Sequence, residues 1–243
     1  MRLLRRVVFG CLGGVALVCV AATGILAYPQ PLFAYHVAQG RLDLYSDRPF
    51  DPKRGRQVLA DIERRIAPSP LNDDKKYRIF IANADWRNRL VFLWSYGAGG
   101  VNYYPLQNVF IRAADVDADR VRKRSGALVE PPRTLAYFGA HEIGHSLVAA
   151  KLGALAHQRL PTWVREGLAD YIAFGGEVEI DELARGLRLS APDLDPQRSG
   201  LYARYRLLVA YLLERENWTI GELLKSPPSG DAVEQRLLKR TGN

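Results

Sequence analysis

Four histidines occur in the chain, and two of them stand four positions apart in AHEIGHS, residues 140–146, with Glu142 directly after the first. On an α-helix, positions i and i+4 lie one turn apart on the same face, so His141 and His145 can offer two imidazole nitrogens to one ion. That spacing suits zinc. Glu142 is displaced by about 100° from His141 around such a helix. It therefore points beside the ion, where a base acting on metal-bound water would stand. Four randomly placed histidines and a glutamate produce the full His-Glu-x-x-His pattern in roughly one chain in 400.

A catalytic zinc needs a third protein ligand and an open position for water. The metzincin extension would need a glycine at position 148 and a histidine at 151, where the chain has Val148 and Lys151. His157 stands in a polar connector soon after His145 and reads as a loop histidine. Glu166 is on the next helical segment, behind the anchor Pro161, Thr162 and Trp163, and the short connector lets that helix fold back to the ion. Glu166 is therefore the expected third ligand. Asp170 lies four residues further on, on the same helical face. Zinc-bound histidines usually donate their second N–H to a carboxylate, and Asp170 is placed to receive it from His141.

Two helices must carry these groups. Pro131 and Pro132 precede a helical pattern from Thr134 to Leu152 that Gly153 ends. PTWVREGLADYIAFGG, residues 161–176, reads as the second, with proline near its start and paired glycines past its end. Upstream, Asp51 and Pro52 open a helix over 52–66 with Val58, Leu59, Ile62 and Ile66 on one face. YRIFIANA, 77–84, is a strand candidate. A glycine-rich loop from residue 94 leads to a second strand near Val109 to Ala113, and the charged segment 115–130 reads as a loop or a short helical excursion. AGG at 98–100 lacks the Gly-Lys-Ser/Thr of a phosphate loop and suggests close backbone approach. Leu201 to Glu214 should be a buried helix, followed by short helices near 219–225 and 231–240.

Hydrophobic content of 48% and charged content of 25% are those of a folded globular chain. The net charge of +8 is scattered among acidic residues with no nucleic-acid motif, which argues against a nucleic-acid partner. Arg2, Arg5 and Arg6 precede an uncharged run from Val7 to Tyr28, about 33 Å as a helix and enough to cross a bilayer. The positive-inside rule keeps the N-terminus cytoplasmic and exports the body to a periplasmic or extracellular space. Cleavage after Ala22 would instead release a secreted protein. Both cysteines, Cys11 and Cys19, fall in this run, so the body can form no disulfide. Gly10 and Gly14 have the small-xxx-small spacing of a packed helix pair, a hint of a homodimer. The expected organisation is a signal anchor over 1–28, a connector over 29–50 and a catalytic domain over 51–243.

HEIGH followed by LPTWVREGLADYIA resembles the gluzincin zinc metallopeptidases, especially their bacterial peptidase MA-like branch. There an HExxH helix is followed about 20 residues later by a Pro-x-Trp-x-x-Glu-Gly helix. The likeness is motif-specific over 134–174; over 45–133 and 200–225 it extends only to the order of elements. It implies an α+β, zincin-like metallopeptidase domain with a small sheet and a mainly helical C-terminal part, preceded here by one N-terminal transmembrane helix. It implies one Zn²⁺ per chain on His141, His145 and Glu166, Glu142 as general base, Asp170 as supporting carboxylate, and a peptide or protein substrate. An edge strand above the metal would hold extended substrate, and the strand near Val109 to Ala113 is the candidate. Among Tyr103, Tyr104, Tyr202, Tyr205 and Arg206, Tyr205 is the choice to stabilise the oxyanion. The competing readings are an intramembrane protease and a membrane-anchored binding or scaffold protein with little turnover. Arg165, Glu166 and Asp170 on the second helix, and the lack of a second long apolar span, argue against the first.

Overall fold

The computed structural model describes residues 20–95, 97–195 and 202–240. Most of the expected membrane span, including Gly10, Gly14 and both cysteines, therefore lies outside the described residues, as does Leu201. Among the described residues no helix is long and apolar enough to cross a membrane. Residues 20–27 form the described part of a helix, α1. Its end is tied to the domain by the buried Asn108, whose Nδ2 donates to the carbonyls of Leu26 and Ala27 at 2.7 and 3.3 Å.

The architecture is α+β. Strands β1 (Tyr35–Gln39), β2 (Leu42–Ser46), β3 (Tyr77–Ala82), β4 (Gly100–Tyr103) and β5 (Asn108–Arg112) form a mixed sheet in the order β1-β2-β3-β5-β4. β2, β3 and β5 are parallel, while β1 and β4 run antiparallel at the two edges. Alternation along the central strands buries both faces. Ile79, Ile81, Val109 and Ile111 face the main core, whereas Phe80, Ala82 and Phe110 face a second cluster with Phe33, Val91 and Phe92.

Two expectations are corrected here. Residues 29–50 are not a connector, because β1 and β2 lie within them. Leu42 and Leu44 are fully buried, and Gly40, at φ +58°, makes the turn. The prolines and exposed aromatics around these short strands obscured their alternation. The 115–130 segment, read as a loop or a short helical excursion, contains one strand of a hairpin, β6 (Ala114–Asp115) with β7 (Arg120–Val121).

The helices over 52–66, 135–152 and 162–173 match the sequence reading closely, whereas the helix expected over 201–214 is α-helical over Ala203–Ala210 and continues as a π-helix over Tyr211–Arg215. α2 (Pro52–Ile66) opens with the Asp51 carboxylate accepting from Lys53 N–H at 2.8 Å and buries Val58, Leu59, Ile62 and Ile66. α3 (Asp85–Phe92) follows β3. α4 (Leu135–Leu152) is buried on every side from Leu135 to Ala149, the mark of a helix at the centre of a domain. α2 and the sheet lie against it, as does α6 (Thr162–Ala173), which also packs on α8 (Ala203–Ala210). Between and after them come α5 (Ala154–Arg159), α7 (Ile180–Arg188), α9 (Ile220–Lys225) and α10 (Gly230–Arg240). The C-terminal half is thus mainly helical.

Candidate metal centre

α4 starts at a fixed point. Thr134 accepts from Tyr137 N–H at 3.1 Å, the Asp119 carboxylate accepts from Ala136 N–H at 2.9 Å, and the Asp119 carbonyl accepts from Leu135 N–H. The start of a helix leaves such donors without helical partners, and here the β6–β7 hairpin supplies part of the cap. Two turns on, His141 and His145 present their rings 4.8 Å apart.

Glu166 reaches them from α6. Its Oε2 lies 3.5 Å from His141 Nε2 and 3.3 Å from His145 Nε2, while Oε1 accepts from Arg165 Nε at 3.0 Å. One ligand atom from each of the three residues fits within 4.8 Å of the others, so the group can hold a metal ion. Glycine permits this approach: a Cβ on Gly144 would stand 3.2 Å from Ala169 Cα, across the α4–α6 contact.

Asp170 is 1% exposed and accepts from Tyr137 Oη and, at 2.8 Å, from Arg206 Nη1. Its Oδ1 is 3.7 Å from His141 Nδ1, too far for a hydrogen bond but close enough to orient the imidazole electrostatically. Burial disfavours a charged His141, yet Asp170 and Glu166, with Glu142, outweigh it and lift the ring to about 10. Glu166 and Asp170 are held below the usual carboxylate range despite burial, Glu166 by the two imidazoles and Asp170 by His141, Arg206 and Tyr137.

Glu142 is buried beside the group. Its Oε2 accepts from Asn102 Nδ2 at 3.3 Å, and a Cβ on Gly100 would stand 2.6 Å from its Oε1. The bare backbone of β4 therefore passes directly over this carboxylate. β4 is an edge strand, and β5 is not, being paired by both β3 and β4. The expectation that the Val109 to Ala113 strand borders the site is thus corrected to β4. The glycine-rich sequence before and within β4 disguised it as a loop, since glycine is depleted in strands.

A cleft of about 340 Å³ opens over the group, and its lining includes Gly99, Asn102, Arg133, His157, Arg165 and Tyr202. Tyr205 does not line it. Tyr202 stacks between His141 and Tyr205, at 6.1 and 5.9 Å, because it stands one turn closer to the site at the start of α8. Tyr103 is engaged elsewhere, donating to the Val91 carbonyl at 2.7 Å. His157, read as a loop histidine, is buried on α5 with its ring 5.4 Å from that of His145. Burial, His145 and Arg165 lower it to about 4, so it is neutral near pH 7. Asn102, Arg133 and the cleft-facing role of Arg165 carried no signal in the sequence, because nothing in local spacing places them near α4.

No protein-family model matches the chain, and no curated protein matches it either.

Proposed function

We propose that the chain is a membrane-anchored zinc metallopeptidase that hydrolyses peptide bonds. The observation that carries this reading is Glu142 lying buried beside a His-His-Glu group and against the edge strand β4, at Gly100 and Asn102. Two ligands each about 2.1 Å from a tetrahedral ion stand about 3.4 Å apart. The 3.3 and 3.5 Å separations from Glu166 to the two histidines agree with that figure. Two imidazoles and one carboxylate are also a known donor set for catalytic zinc. When bound, zinc would supply a water acidified towards a pKa of about 7 and polarise the substrate carbonyl.

The protein's own groups do the rest. Glu142 accepts a proton from the attacking water on its carboxylate and returns it to the departing amine. Asn102 Nδ2 steadies that carboxylate, and its own Oδ1 lies 3.4 Å from Ser146 Oγ. β4 offers unpaired backbone groups to an extended substrate, which makes binding largely independent of sequence. Tyr202 is the hydroxyl best placed to meet the developing oxyanion. Arg2, Arg5 and Arg6 followed by the Val7 to Tyr28 run support an anchor with the body exported, or a secreted form if the chain is cut after Ala22.

The test uses the full chain in detergent. One zinc equivalent and peptide hydrolysis are expected for the wild type. Glu142→Gln should lower turnover by about 10²–10⁴-fold while keeping the metal, and Glu166→Ala should lose both. Hydrolysis that survives Glu142→Gln overturns the mechanism. A wild type that holds zinc and cleaves no peptide is a binding protein on this fold.

A further inference from the structure

We propose that the substrates are juxtamembrane segments, the short stretches by which other membrane-anchored polypeptides leave the bilayer. This rests on the anchored-peptidase reading and assigns its substrate class. The uncharged run from Val7 to Tyr28 ends where α1 ends, and α1 joins the domain without a free linker. Val20, Ala21, Thr23 and Gly24 are exposed, whereas Pro29 and Phe33 are buried. A 3₁₀ turn over Gln30–Leu32 leads directly towards β1. The helix therefore stands free at its N-terminal side and is held at its C-terminal end.

Asn108 holds it there, through the bonds from its buried amide to the Leu26 and Ala27 carbonyls. Leu26 also packs in the aromatic cluster that Val101 and Tyr103 of β4 join. Asn108 stands opposite Tyr103, the last residue of β4, while Gly100, the first, stands opposite Ile111. Gly100 and Asn102 lie against Glu142. The edge strand thus runs from Glu142 at one end to the root of α1 at the other. Three steps of about 3.3 Å along β4 and about 5 Å across to Asn108 make about 15 Å. An extended polypeptide covers that distance in about five residues. The turn from β4 to β5 that stands beside this root carries Tyr104, Pro105 and Leu106 and no charge. Such a turn suits a membrane–water interface, where tyrosine collects. A chain rising from the bilayer beside α1 would meet the Tyr103 end of β4 first and reach Glu142 a few residues later.

The experiment places the full chain in phosphatidylcholine vesicles with single-span substrates whose unstructured stalk, about 30 residues long, would reach about 100 Å if extended. Cuts are mapped by mass spectrometry. Those within about six residues of the span are expected at least about tenfold faster than those in the outer half, because only the near segment is held at β4. A flexible Gly-Ser insertion of about ten residues after Tyr28, combined with Asn108→Ala, should spread the cuts along the stalk. The same variant should leave kcat/KM on a short soluble peptide unchanged. Wild-type cuts spread evenly along the stalk, or near cuts that persist after release, overturn the proposal. A second measurement needs no activity and no change at Asn108. Leu106→Cys, in a Cys11→Ala and Cys19→Ala background, carries a bimane that headgroup-nitroxide lipids should quench; an unquenched label overturns the placement of β4. If the wild type cuts no peptide at all, the peptidase reading fails and the substrate class with it, while quenching still reads where β4 stands. If the chain does not float with the vesicles, the anchor is absent and the proposal falls.

Discussion

Asp170 shows how one buried carboxylate can serve both the fold and the site. It accepts from Tyr137 and Arg206, and faces His141 Nδ1 at 3.7 Å. Replacing it with asparagine keeps the volume and removes the charge that orients the histidine. Supporting carboxylates of this type are worth 10–100-fold in metal affinity, and Asp170→Asn should weaken zinc binding by about that factor in a chelator competition titration. The same change leaves Arg206, 12% exposed in its side chain, without its counter-charge. Losing one partner of a buried pair costs about 3–5 kcal/mol, and urea unfolding of the metal-free protein should show a loss near the lower figure. Unchanged zinc affinity would reduce Asp170 to a structural residue.

At the scale of elements, the site is a three-helix stack under a strand, and glycine sets two of its spacings. A Cβ on Gly167 would lie 2.5 Å from the Tyr205 carbonyl oxygen, so α6 and α8 touch backbone to backbone one residue after Glu166. Alanine for glycine inside a helix ordinarily gains about 0.5–1 kcal/mol. Here the sign should reverse: Gly167→Ala is expected to cost about 1–3 kcal/mol and to lower zinc affinity, because α6 must shift and Glu166 moves with it. Gly144→Ala meets Ala169 at 3.2 Å and should cost less. Thermal melts and zinc titration of the two variants check the order. Equal effects would mean that the helices part freely at both contacts.

For the whole molecule, the metal would join α4 to α6 across the middle of the fold. Zinc at 100 times its dissociation constant should add about 2.7 kcal/mol, and at about 2–4 °C per kcal/mol for a domain of this size the melting temperature should rise by about 5–10 °C. A chelator should reverse the rise, and Glu166→Ala should show none. The domain also begins earlier than residue 51, where the Asp51-Pro52 helix start suggested it, because β1 and β2 lie within 29–50. A chain starting at residue 51 lacks β1 and β2 and uncovers the edge of β3, whereas one starting at residue 29 keeps all five strands. The shorter chain should be insoluble, and the longer one should fold with a cooperative melt.

The legible part of this protein is local. His141, Glu142, His145, Glu166 and Asp170 could be named from spacing, because helical periodicity turns sequence distance directly into direction, and capping residues mark where each helix starts. What tertiary structure decided depends on pairings between distant segments. That β4 and not β5 is the edge, that residues 35–46 enter the sheet, and that Asn102 reaches Glu142 all follow from strand order, which short-range periodicity does not encode. Tyr202 rather than Tyr205 faces the cleft because of where α8 begins, and His157 is buried because α5 folds back beside His145. The scattered cations read as a solvated surface along the chain. The fold brings Arg112, Arg122, Lys123, Arg124 and Arg133 to the lining of one cavity, since charges far apart in sequence become neighbours only when the backbone between them is folded.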